Sequence, residues 1–115
     1  MVAVCHCDHC QKQSGSAFSV NIAVPPDSFT ITGDSLKGYK DTSASGVGLE
    51  RNFCGDCGSP LYSDVTAAGL YFIKAGTLTD SSWVEPGAEI WCDEKVAWGK
   101  QADELPKMPA NPPLG

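Results

Sequence analysis

The first pattern along the chain has a period of two. Phe18, Val20, Ile22 and Val24 alternate with Ser19, Asn21 and Ala23, which predicts a strand with the larger apolar residues on one buried face. Pro25-Pro26-Asp27 ends it, since proline has no N–H to give a ladder. Phe29 to Thr32 reads as a second short strand, closed by Gly33-Asp34. Asp41 to Gly48 is rich in Ser and Gly and reads as a loop. Extended segments at Arg51 to Phe53 and Pro60 to Val65 lead into and out of a pair of cysteines. Further strands are expected at Leu70 to Lys74 and at Ala88 to Cys92, the latter with Ile90 and Cys92 on one face and Trp91 on the other. Only Cys7 to Ser14 fits a helix, one or two turns long, with Gly15 as its left-handed stop. Many short strands and one short helix predict an all-β domain.

The end of the chain differs in kind. Pro106, Pro109, Pro112 and Pro113 fall within the last fifteen residues, which predicts an extended tail over residues 101–115 after a single domain over residues 1–100. The full length of 115 residues suits one domain. Apolar residues make up 42% and charged residues 19%, a balance that argues against disorder. The net charge is -6 and no basic run exists, so no nucleic-acid partner is expected. No apolar stretch approaches 18 residues, so no membrane span is expected.

Cysteine carries the chemistry. The start, Met1-Val2-Ala3-Val4-Cys5, is too short for a signal peptide, and the expected location is a reducing cytoplasm, where six cysteines point to metal before disulfides. Cys5, Cys7 and Cys10 form C-x-C-x-x-C; Cys54 and Cys57 form C-x-x-C with Gly58 directly after, the composition of a zinc knuckle. Three thiolates leave a fourth zinc position for water or substrate, the arrangement of a catalytic zinc. His6 and His9 lie inside the triplet and compete as ligands, although His6 should point away from Cys5 and Cys7 on an extended segment. Cys92 stands alone after two bulky apolar residues and is expected to be a buried structural thiol. Trp83, Trp91 and Trp98 are expected in the core or at its rim, with a pocket lining as the alternative. Lys12 and Arg51 flank the cysteine clusters and are weak candidates for holding an anionic substrate.

Cys5-His6-Cys7-Asp8-His9-Cys10-Gln11-Lys12 followed by Ser14-Gly15-Ser16-Ala17-Phe18 resembles the glutathione-dependent formaldehyde-activating enzyme family, whose domain also occurs in centromere protein V. Arg51-Asn52-Phe53-Cys54-Gly55-Asp56-Cys57-Gly58-Ser59-Pro60-Leu61, Lys74-Ala75-Gly76-Thr77-Leu78, then Trp83, Pro86, Ile90-Trp91 and Trp98 extend the resemblance in order. It implies small antiparallel sheets of the β-tent type and two zinc sites. Cys5, Cys7 and Cys10 would match the catalytic zinc ligands, and Cys54 and Cys57 half of a structural zinc site. The family supplies the other half from an upstream C-x-C-G hairpin. Here Met1 lies only four residues before Cys5, so the second site is expected to lack those ligands, gain others, or borrow them from another copy. An uncovered sheet edge would then favour a homo-oligomer, with Phe18 to Val24 as the contact.

The resemblance also implies an activity: a zinc-dependent carbon–sulfur lyase that adds a small thiol such as glutathione to formaldehyde or a related aldehyde. Two other classes compete with it. One is a non-catalytic zinc-binding interaction module, marked by a closed four-ligand zinc. The other is a thiol redox or metal-buffering protein, marked by reversible zinc loss on mild oxidation.

Overall fold

Val2-Ala3-Val4 opens the chain as an apolar run, and it forms the first strand, β1 (Val2–Cys5), in the computed structural model, which describes residues 1–42 and 46–112. Cys7 caps the short helix α1 (Asp8–Ser14) by accepting the Cys10 N–H at 3.3 Å, and Gly15 ends it at φ 67°. Then come β2 (Ser19–Val24), β3 (Leu36–Thr42), β4 (Gly48–Cys54), β5 (Pro60–Val65), β6 (Leu70–Lys74) and β7 (Ala88–Ile90). The all-β expectation with one short α-helix is met. The strands join in a single ladder in the order β3-β4-β5-β6-β2-β1-β7. Neighbours pair antiparallel except β1 and β7, which run parallel.

Several expectations need correction. Phe29 to Thr32 forms no strand: a 3₁₀ turn at Pro26–Ser28 precedes it. Phe29 instead stacks edge-on against Tyr62 at 5.0 Å and Tyr71 at 5.9 Å, so packing onto the sheet replaces pairing within it. The expected loop from Asp41 to Gly48 is shorter, because Asp41 and Thr42 end β3 and Gly48 begins β4; residues 43–45 of it lie outside the described residues. Strand β3, Leu-Lys-Gly-Tyr-Lys-Asp-Thr, has no apolar period, and pairing with β4 over seven residues makes it a strand.

Strand β7 stops at Ile90 because Trp91 adopts φ 58°, and a 3₁₀ turn over Cys92–Glu94 follows. The alternation is broken at that point, and Cys92 is exposed rather than buried. A 3₁₀ run over Ala97–Glu104 crosses the expected tail boundary at residue 101; residues 105–112 hold no strand or helix. Strand β2 is interior, paired with β1 on one side and β6 on the other, so Phe18 to Val24 offers no open edge. The ladder ends at β3 and β7. None of the described helices is long and apolar enough to cross a membrane.

Candidate metal and thiol site

The two faces of the sheet have different chemistry. Tyr62, Tyr71, Ile22 and Ile73 meet on one of them, with Phe29 laid over the tyrosines. The other carries Cys5, Asn21, Arg51, Ser63, Phe72, Lys74 and Ile90, which the registers set on one side of β1, β2, β4, β5, β6 and β7. This explains a further departure from the sequence pattern. In β2 it is Ser19 and Asn21, the polar positions of the alternation, that are buried, together with Ile22; Phe18 is 41% exposed. The polar side of β2 faces a site.

Cys5 enters that site from the end of β1, Cys7 from the helix cap and Cys10 from the first turn of α1. The extended-to-helical change between Cys5 and Cys10 lets residues on two kinds of element converge. Their sulfurs lie within 4.8 Å of one another, all buried, and those of Cys5 and Cys10 are 3.6 Å apart. Backbone and amide contacts lock the segment: His6 N–H donates to the Ile90 carbonyl at 3.0 Å, and Gln11 Nε2 donates to the carbonyls of His6 and Glu94 at 2.8 and 3.0 Å.

The surroundings favour negative charge on one of these sulfurs, that of Cys10, and oppose it on the other two. Contact with Cys5 is the main cause that brings the Cys10 thiol down to about 4, against the opposing effect of burial, with Ser19, Cys7 and the Lys74 charge adding to it. The same contact, and then burial, push the Cys5 thiol up, and burial pushes Cys7 up. A thiolate is thus favoured at Cys10, and further ones call for added positive charge. A metal ion held by the three cysteines would supply it: Zn–S bonds of about 2.3 Å in a tetrahedral site place sulfurs roughly 3.8 Å apart, close to the 3.6 Å between Cys5 and Cys10. The donor set fits a metal ion.

Two cations stand beside the cluster. Arg51 is 3% exposed and its Nε donates to Asp41 Oδ2 at 2.8 Å. Burial works to lower its pKa, but Asp41 and the Cys10 thiolate outweigh that and raise it. Asp41 also accepts from the Thr42 N–H at 2.8 Å and lies 3.2 Å from His9 Nδ1. Its carboxyl would rise on burial alone; Arg51, Thr42 and His9 hold it below the usual range. Lys74 Nζ donates to Asn21 Oδ1 at 2.9 Å, and Asn21 Nδ2 donates to Ser19 Oγ at 3.0 Å. Burial pulls the Lys74 pKa down while the Cys10 charge opposes it. The cysteines open onto a cavity of about 160 Å³ lined also by Arg51, Lys74, Leu49, Val65, Phe72 and Trp91. Trp91 holds a left-handed backbone conformation there, which costs a bulky residue on the order of 1–2 kcal/mol.

The other sequence candidates are elsewhere. Cys54 and Cys57 sit at the β4–β5 turn, where Gly58 N–H donates to the Cys54 carbonyl at 2.8 Å and Cys54 N–H to the Ser59 carbonyl at 2.9 Å. Cys54 Sγ lies 3.8 Å from Ser35 Oγ, and the exposed Cys57 Sγ lies 3.2 Å from Ser59 Oγ. Backbone N–H groups of Cys57 and Asp56 lower the Cys54 pKa. Among the described residues, no third donor joins this pair, and the only cluster of three or more is the triplet. His6 points to Glu89 Oε1 at 3.0 Å and the edge of Phe18; His9 points to Asp41. Lys12 is exposed and pairs with Asp8 at 3.1 Å. Trp83 and Trp98 are 58% and 63% exposed. Residue-level reasoning passed over Lys74, Asn21 and Ser19, whose signal was the two polar residues at alternate positions of β2 and a lysine closing the apolar run Leu70–Lys74.

The family model described as glutathione-dependent formaldehyde-activating enzyme matches residues 1–94. A protein of Phaeosphaeria nodorum is 34% identical over 87 residues, which is 71% of this chain and 44% of that protein. One of Talaromyces marneffei is 32% identical over 111 residues, covering 92% of this chain and 58% of the relative. One of Penicillium rubens is 29% identical over 111 residues, covering 92% and 56%. All three are provisionally named glutathione-dependent formaldehyde-activating enzymes. The chain spans about half the length of the curated relatives it matches. With a match over residues 1–94, the chain belongs to the glutathione-dependent formaldehyde-activating enzyme family.

Proposed function

We propose that this chain is a zinc-dependent carbon–sulfur lyase that adds a small thiol, glutathione or a relative of it, to formaldehyde or a related small aldehyde. The observation that carries the reading is the buried triplet of Cys5, Cys7 and Cys10 opening on a small cavity that also holds Lys74 and Arg51. These three cysteines are the metal ligands in this reading, and Cys54 with Cys57 forms half of a second, structural-type site. Zinc, when bound, would supply the positive charge that keeps an incoming thiol ionised near neutral pH.

The chain's own residues do the rest. Arg51, fixed by Asp41, keeps a positive charge beside a cluster that becomes more negative as a thiolate enters, and Lys74, fixed by Asn21, places a second cation at the cavity. Leu49, Val65, Phe72 and Trp91 line the cavity, which limits the water around the sulfur and favours its attack on carbon. The thiolate sulfur forms a bond to the carbonyl carbon, the π pair moves to oxygen, and that oxygen takes a proton. Net, one thiol and one aldehyde give one hydroxymethyl thioether. A cavity of about 160 Å³ admits the thiol's end and a one- or two-carbon aldehyde, leaving the bulk of a peptide thiol outside. Open space at the triplet favours an exchangeable ligand over the closed site of an interaction module. Because metal-binding thiols must stay reduced, the proposed compartment is the cytoplasm.

The test is calorimetry of zinc-loaded protein with glutathione and with S-methylglutathione, in two buffers of different ionisation enthalpy. Glutathione should bind with release of about one proton, and its S-methyl form far more weakly. Equal affinity for both removes the lyase reading.

A further inference from the structure

Lys74 is the cation of the site whose role the cysteines alone do not explain. In the β2–β6 register it lies opposite Asn21, and its Nζ donates to Asn21 Oδ1 at 2.9 Å while lining the same cavity as the triplet. Lys12 and Lys95 are more exposed and each lies beside a carboxylate, Asp8 and Glu89 respectively. Arg51 has Asp41. Among the described residues no carboxylate pairs with Lys74; its partner is a neutral amide, and it is half-buried. A buried charge is costly without an opposite one. Negative charge inside the cavity is what offsets it.

An ammonium has three N–H donors. Asn21 takes one of them. The Asn21 amide is itself held by Ser19 Oγ at 3.0 Å, and Ser19 in turn contacts the Cys10 sulfur. This chain of contacts fixes the ammonium relative to the sulfur cluster without consuming its remaining donors.

We propose that Lys74 is a catalytic residue of this site: held by Asn21, its ammonium donates a hydrogen bond to the aldehyde oxygen as negative charge gathers there. The proposal rests on the lyase reading and adds to it the group that meets the oxygen. The carbon–sulfur bond forms, the carbonyl π pair goes to oxygen, and water supplies the proton that oxygen needs. Lys74 keeps its own proton throughout. A fixed donor of this kind acts on charge that develops only during the addition, so it raises kcat and leaves thiol affinity nearly unchanged.

The experiment follows exchange between ¹³C-formaldehyde and its glutathione adduct by NMR, over thiol concentration, for zinc-loaded parent, Lys74→Met, Lys74→Arg and Asn21→Asp. Zinc content and thiol affinity by calorimetry accompany each. Lys74→Met is expected to keep its zinc and its thiol affinity within about threefold while kcat falls roughly 100-fold. Lys74→Arg should recover at least about a tenth of parent kcat, since the cationic donor is restored. Asn21→Asp should lower kcat roughly tenfold, because a carboxylate then engages the ammonium. A Lys74→Met kcat within threefold of the parent overturns the proposal. So does a loss of kcat matched by equal losses of zinc and thiol affinity without rescue by arginine, which marks a structural counter-charge only. If Lys74→Met does not fold, Asn21→Asp decides: unchanged kcat overturns the proposal and the tenfold fall supports it. A parent that produces no exchange above the uncatalysed rate overturns the lyase reading and this role together, whereas an active parent equalled by Lys74→Met overturns the role alone.

Discussion

The triplet and the knuckle share a C-x-x-C pair and little else. Cys7 and Cys10 sit on a helix start, joined by Cys5 from the adjacent strand, all buried beside Arg51 and Lys74. Cys54 and Cys57 sit on a hairpin turn, half-buried and exposed, with Ser35 and Ser59 for company. Both pairs have backbone N–H groups that support thiolates. Spacing alone therefore makes two thiols available; a third sulfur, burial and nearby cations make a site with chemistry. The comparison predicts unequal metal binding, and the largest effect should come from its stronger side. Cys7→Ser is expected to weaken zinc binding at the triplet by at least about 100-fold while keeping the start of α1, because a serine hydroxyl can accept the Cys10 N–H that the Cys7 sulfur accepts. The double change Cys54→Ser with Cys57→Ser should leave the triplet's zinc in place. Elemental analysis with native mass spectrometry reads both. Complete zinc loss in the double variant, with the fold intact, would reverse the ranking.

How much of this contrast was legible beforehand depends on the kind of information involved. The triplet and the helix over Asp8–Ser14 are local: the cysteine spacing and the Gly15 stop report them within a dozen residues. So are β5 and β6, where apolar content and the bounding Gly and Pro agree with pairing. What escaped the sequence is set by partners far along the chain. Strand β3 exists because β4 pairs with it. The buried side of β2 is polar because β6 brings Lys74 opposite Asn21, and no periodicity in β2 can announce a lysine 53 residues away. Trp91 broke the expected strand by a left-handed conformation that its residue type disfavours. That strain falls at the wall of the cysteine cavity, where local rules are most often overridden by a site.

The next effect belongs to Arg51, which the triplet has and the knuckle lacks. Arg51→Met removes a cation that is 4% exposed at its side chain from a carboxylate that is 17% exposed. Breaking a buried pair costs roughly 3–5 kcal/mol; with Asp41 partly wet and still in contact with His9, about 2–3 kcal/mol is expected. Urea unfolding at neutral pH measures it, and a loss below about 1 kcal/mol would place the pair among surface contacts.

The pH dependence of that loss sharpens the point. The folded Asp41 carboxyl is depressed below its ordinary 3.8, so its contribution to stability is present above the unfolded value and is lost as pH falls through the lower folded one. The difference between parent and Arg51→Met should accordingly hold constant from neutral pH down to about 5 and shrink toward pH 3. A difference that instead grows in acid would mean that Asp41 is not the group Arg51 stabilises. Unfolding midpoints across that range decide it.

The smallest effect is predicted for Lys12, the other cation that the sequence offers for an anionic substrate. It stands on the outer face of α1 with its side chain 76% exposed, paired with Asp8 one turn earlier at 3.1 Å. An exposed pair at that spacing contributes about 0.3–0.5 kcal/mol to a helix, so Lys12→Ala should leave the unfolding midpoint nearly unchanged. Its bearing on substrate is more informative. Lys12 and Arg51 both border a groove of about 400 Å³ beside the helix, together with Asp8, His9, Tyr39 and Asp41. The two aspartates repel carboxylates there, and Arg51 is already committed to Asp41. A thiol whose remaining groups are anionic thus gains little from Lys12. The expected result is a thiol KM within about twofold of the parent, a change of less than 0.5 kcal/mol. A tenfold rise in KM with unchanged kcat would show instead that the groove beside α1 holds the body of the thiol, and that binding extends from the buried triplet onto the helix's exposed face.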